Sequence, residues 1–153
     1  MSHPEEKLAE LGLKLPEVAK PVASYVPVVR TGNLVYTSGQ LPLREGALIA
    51  TGKNGDSVDA AVALECAQQC ALNALAAIKS EIGDLANITR IVKVVAFVAS
   101  TPDFTGQPQV ANGASELLGQ VFGEAGQHAR SAVGVPVLPL DAPVEVELIV
   151  EVA

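Results

Sequence analysis

The 153-residue sequence predicts an α+β domain: an antiparallel-rich sheet covered on one face by two helices. Three observations carry that prediction. The C-terminal segment alternates strictly, with Val144, Val146, Leu148, Val150 and Val152 on one side and Glu145, Glu147, Ile149 and Glu151 on the other, as an antiparallel strand with one buried face does. Residues 57–82 switch to helical spacing, with Leu64, Ala67, Ala71, Leu75, Ile78 and Ile82 recurring at three and four and with Gln68, Gln69 and Asn73 off the stripe. The composition is aliphatic, at 49% apolar and 18% charged with no tryptophan, so the chain can build an ordinary core and is too apolar to stay disordered.

The elements follow in order. Residues 4–11 open on a proline and two acids and run to Gly12 and Pro16, which predicts a short N-terminal helix. Val26–Arg30 and Leu34–Thr37 are β-branched runs on either side of a Thr-Gly-Asn turn and read as two strands. The glycine-rich residues 44–56 read as a loop with room for a third strand at Leu48–Ala50. After the long helix, stopped by Gly83, Ile88–Ala99 is a β-branched strand ended by Pro102-Asp103. Residues 108–122 return to helical spacing and close on Gly123. Ala129–Val137 and Val144–Val152 are the last strands, and their short connection reads as a hairpin.

Both helices are expected on the valine face. The opposite face carries carboxylates and Ile149, and the hairpin reading adds Ala132, Gly134 and Pro136 there. That face is neither well charged nor well packed, which points to self-association, as does the low charged fraction of a chain of positive mean hydropathy.

A formal charge of −7 argues against a hold on nucleic acid. The N-terminus lacks a basic segment followed by an apolar one, and no unbroken apolar run reaches the ~20 residues of a membrane span, so the expectation is a cytoplasmic protein without a membrane partner. Cys66 and Cys70 lie one helical turn apart with no histidine at ligand spacing, which suits packing rather than a disulfide or a metal site.

Arg130 stands out because Lys93 is the only other base between Arg90 and the C-terminus. In phase with Ala132 and Gly134, its guanidinium has room to hold a carboxylate bidentately, or else it pairs with a surface glutamate. Glu145 suits a general base or a water-orienting group, or simply a solvated strand face. In the hairpin register Glu145 sits near Pro136, about six residues from Arg130, which at ~3.3 Å per residue separates the two by roughly 20 Å in one chain. A site using both is therefore expected between neighbouring chains. His128 is a further candidate acid or base, or a solvated strand-end residue. No glycine-rich phosphate loop and no Ser-His-Asp order stands out.

At Thr37-Ser-Gly-Gln40, Ala129-Arg-Ser131 and Val144-Glu-Val-Glu147 the sequence resembles the reactive intermediate (imine) deaminase family, also called YjgF-like or L-PSP endoribonuclease-like. The resemblance covers residues 20–153 as one domain and leaves 1–19 as an N-terminal extension. It implies a chorismate-mutase-like fold of the bacillus type, assembled as a homotrimer with clefts between subunits. The implied reaction is cofactor-independent hydrolysis of 2-enamino and 2-imino acids to 2-keto acids and ammonia. Arg130 and Glu145 match the family's catalytic arginine and glutamate, and Tyr25, Ser38, Ala132 and Asn112 fall at positions that line the substrate. Ala132 stands where the family often has cysteine. A trimer that binds keto or amino acids without turnover is the alternative, and RNA cleavage, from the family's other name, is disfavoured by the acidic charge.

Overall fold

The computed structural model describes residues 3–18 and 24–153; the expected boundary between 19 and 20 lies outside the described residues. Helix α1 (Pro4–Glu10) is followed by strands β1 (Val28–Thr31), β2 (Leu34–Thr37), β3 (Leu43–Arg44) and β4 (Ala47–Leu48). Then come helix α2 (Ala60–Ile82), strand β5 (Ile88–Ala99), helix α3 (Gln107–Phe122) and strands β6 (Ala129–Val135) and β7 (Val144–Val152). The main sheet has the order β1-β2-β7-β5-β6, antiparallel except for β5 and β6. The expected α+β architecture is present, and most element bounds lie within two or three residues of the sequence reading.

The long helix starts at Asp59, whose carboxylate accepts the Val62 amide at 2.9 Å, one of the orphan donors of a helix N-terminus. It ends at Gly83 with φ 85°, a conformation that costs other residues a steric penalty. Its alanine-rich face lies on Val144, Val146, Leu148 and Val150, all buried. Close approach to α3 depends on Gly113, since a Cβ there would overlap the Leu64 carbonyl. Helix α1 contributes Leu8 to the same core, and the His3–Asp84 and Lys79–Glu5 contacts tie it to the end of α2.

Three expectations are corrected. First, β6 and β7 do not form a hairpin. Strand β5 lies between them, because α3 provides a crossover that lays β6 parallel on the far edge of β5, while the turn at Pro139–Asp141 carries the chain to the other side. Second, Arg130, Ala132 and Gly134 pair with Val94, Ala96 and Val98 of β5 and so share the helix-covered face, not the carboxylate face.

Third, Gln69 and Asn73 are buried although they sit off the apolar stripe, and Leu64 on the stripe is exposed. Asn73 donates to the carbonyls of Leu41 and Leu43 and accepts from Gln69, which in turn accepts from Arg44. This network fastens the β3–β4 ribbon to α2, and propensity and period carry no trace of it. Helix α2 is by length and composition apolar enough to cross a membrane although it holds no unbroken apolar run of that length; 72% of its most apolar 18-residue stretch is buried inside the fold, as in a core helix.

Candidate functional site

The residues singled out in the sequence fall into two groups. One is built on Arg130. Strand β6 is an edge strand, and Arg130 turns from it toward α3, where Nη1 donates to Asn112 Oδ1 at 2.8 Å and to Ser115 Oγ at 3.2 Å. Asn112 and Ser115 lie three apart on α3 and so share one helix face. Both bonds leave from one nitrogen, and among the described residues no carboxylate pairs with the guanidinium and no group accepts from Nη2 or Nε. Ala132 follows on the same face, partly packed on the core, and Gly134 leaves space into which the Gln107 amide reaches.

The second group is built on Glu145. Its neighbour Val146 exchanges two backbone hydrogen bonds with Gln40, at 2.8 and 3.0 Å, which brings the Ser38-Gly39-Gln40 segment alongside. A Cβ on Gly39 would overlap the Glu145 carboxylate, so the glycine of Thr-Ser-Gly-Gln is the space in which that carboxylate rests. Ser38 Oγ donates to Val26 O at 2.6 Å and Ser38 N to Pro27 O at 2.9 Å, holding the segment that carries the half-exposed Tyr25. Buried Asn54 fixes the entry to β7 by donating to the carbonyls of Ala99 and Pro143.

Burial, and then the like charge of Glu147 two residues on, push the Glu145 carboxyl above its ordinary range. The thiols read differently. Burial raises Cys66 to about 11 and Cys70 well above its usual value, and neither is poised as a nucleophile or ligand.

The two groups do not meet within one chain. Arg130 is in register with Val94 and Glu145 with Phe97, so the pair is three residues apart along β5 and one strand to either side of it, roughly 14 Å between Cα atoms. They also emerge on opposite faces, since Val94 is buried beneath the helices and Phe97 belongs to the open face. The hairpin estimate of their separation fails, but their separation within a chain holds, on different geometry.

The open face carries Val29, Tyr36, Lys93, Val95, Phe97 and Ile149 beside the glutamates. A groove of about 800 Å³ lies under the N-terminal segment 12–18 against Arg44, Gln69 and Asn73 and shares no residue with either group.

Sequence reasoning missed Ser115 and undervalued His128. His128 Nδ1 lies 2.6 Å from Gly126 O and its Nε2 lies 2.8 Å from Ser115 Oγ. The signal available was the spacing of Asn112 and Ser115 on one helix face, followed by a histidine two residues before the arginine.

A small α+β domain with four antiparallel strands, an outer parallel strand and an arginine at its edge defines a class, and comparison with known proteins supplies its name. Residues 5–152 match the family described as "YjgF/chorismate_mutase-like, putative endoribonuclease", and the chain belongs to that family. It is 45% identical over 145 residues to "Protein TCP17" of Trypanosoma cruzi, spanning 94% of this chain and 91% of that one. It is 31% identical over 140 residues to a "2-iminobutanoate/2-iminopropanoate deaminase" of Dermatophagoides farinae, spanning 90% and 93%. Among solved structures, protein Atu1372 of Agrobacterium tumefaciens, described as of unknown function, superposes with a TM-score of 0.93 at 48% identity over 98% of this chain and 92% of that one. The E. coli YjgF gene product superposes with a TM-score of 0.65 at 27% identity over 88% and 93%.

Proposed function

We propose that this protein hydrolyses reactive 2-imino and 2-enamino acids to 2-keto acids and ammonia, without a cofactor, in clefts between the subunits of a homotrimer. The observation that carries the reading is Arg130: a guanidinium steadied on one nitrogen by Asn112 and free of any carboxylate among the described residues suits a bidentate hold on a substrate carboxylate.

The chemistry asked of the protein is modest. Arg130 fixes the carboxylate, the adjoining C=N carbon is presented to a water, and Glu145 of a neighbouring chain orients that water, with Tyr25, Ser38 and Ala132 shaping the cleft. The placement of Arg130 and Glu145 on opposite faces supports a shared site, and the apolar open sheet face supports assembly. The name of the mite relative supports the reaction. Two free, buried thiols suit the reducing cytoplasm.

The test is the release of pyruvate or 2-ketobutyrate from imines generated by a serine/threonine dehydratase, with light scattering for the trimer. Wild type should accelerate release, and Arg130→Ala should lose about two orders of magnitude in kcat/KM, as expected for removing charged hydrogen bonds to the substrate. Equal rates with and without the mutation would refute the reading. Ala132 in place of a cysteine favours a second reading, ligand binding without turnover, which keto-acid binding by an inactive wild type would establish.

A further inference from the structure

We infer that Ser115 and His128 form a proton relay attached to the carboxylate hold of Arg130; this rests on the hydrolytic reading above. A carbonyl oxygen only accepts, so the 2.6 Å contact with Gly126 O assigns the proton of neutral His128 to Nδ1. Nε2 is then the acceptor, and the Ser115 hydroxyl donates to it at 2.8 Å. Ser115 Oγ in turn accepts from Arg130 Nη1 at 3.2 Å, which leaves one of its lone pairs open. Hydroxyl, base and base-orienting group thus stand at the distances of an activated hydroxyl, beside the guanidinium proposed to hold the substrate. Both side chains are only partly buried, so a small molecule on Arg130 can reach the serine.

Water adds to the carbon of the protonated imine, the C=N π electrons return to nitrogen, and the water's proton passes to Ser115 Oγ as the serine proton moves to His128 Nε2. The imidazolium, still held by Gly126 O, returns its proton through Ser115 to the amine nitrogen. The carbinol oxygen then forms C=O, the C–N bond breaks, and ammonia leaves with the carbinol proton as ammonium. No oxidant or reductant is required. Ser115 touches the reacting atoms, and His128 acts through it.

Three variants test this: Ser115→Ala, Ser115→Thr and His128→Ala. Loss of general acid–base assistance should lower kcat by about 10²-fold or more in both alanine variants with KM within roughly twofold, because Arg130 and Asn112 remain. Ser115→Thr should keep most activity, and added imidazole should restore part of it to His128→Ala but none to Ser115→Ala. Unchanged kcat in the alanine variants, or a loss confined to KM, would overturn the relay. A readout independent of turnover separates its failure from that of the deaminase reading. Pyruvate added to the ¹⁵N-labelled wild type should shift the His128 Nε2 resonance, and in Ser115→Ala it should not. A resonance that pyruvate leaves unmoved overturns the relay; a shift in a wild type that releases no keto acid upholds the coupling and overturns the deaminase reading.

Discussion

The Glu145 carboxylate occupies the volume that a side chain at Gly39 would fill. The two residues are far apart in the chain and are brought together by the paired backbone bonds between Gln40 and Val146. Gly39→Ala should therefore push the carboxylate out of place while the fold survives, since the displaced group is the end of a flexible side chain. A misplacement on the order of 1 Å lowers rate by about 10²-fold, and imine hydrolysis by the variant should fall by that amount with circular dichroism unchanged.

Glu147 is one of the two causes that raise the Glu145 carboxyl, the larger being burial. Glu147→Gln should lower the pKa of Glu145, read by carboxyl ¹³C titration. The sign for stability follows from when the repulsion exists. Both groups must be ionised, so the variant should melt higher than wild type above the raised Glu145 pKa. The gain should fade as pH falls through it and vanish below the ordinary carboxylate range. Calorimetry at neutral and acidic pH measures both ends.

Arg130→Lys keeps the charge but loses the planar fork. KM for the imino acid should rise by roughly tenfold or more, with kcat less affected, since a compact ammonium cannot hold a carboxylate through two parallel bonds. Asn112→Ala should have a smaller effect in the same direction, because it removes one of the two partners of Nη1 without removing the cation. Steady-state kinetics on both variants decides.

Asn73→Ala removes the donor to the carbonyls of Leu41 and Leu43 and leaves Gln69 without its acceptor. Leaving buried groups unpaired costs about 1–3 kcal/mol, which in a domain of this size corresponds to a drop of several degrees in Tm. Urea unfolding and calorimetry should agree on the loss, and activity at low temperature should be retained.

These residues show what a sequence makes legible. The alternation of β7, the β-branched run of β5 and the small-residue helix α2 were readable because local pattern and burial agree at each of them. The neighbours of β6 were not readable. A short link between two strands looks the same whether they pair or straddle a third, and the decision lies in α3, which carries β6 across β5. That choice also decided the face on which Arg130 emerges. Gln69 and Asn73 escaped because a buried amide is identified by its partners, which lie in another part of the chain. Of the candidate site, the arginine and the glutamate could be singled out from motif and charge. Ser115 was not, because a serine inside a helix announces nothing until the histidine that accepts its proton is placed beside it.

The position of β5 between β6 and β7 has a genetic consequence. If Arg130 serves one cleft and Glu145 the next, a chain that lacks the arginine and a chain that lacks the glutamate are each inert alone yet complete one another. Refolding Arg130→Ala and Glu145→Gln chains together at equal amounts should regenerate clefts with both groups intact, roughly a quarter of them under random mixing of subunits in a closed ring. Activity recovered from two dead parents would mark a catalyst whose unit of inheritance is the chain and whose unit of function is the boundary between chains.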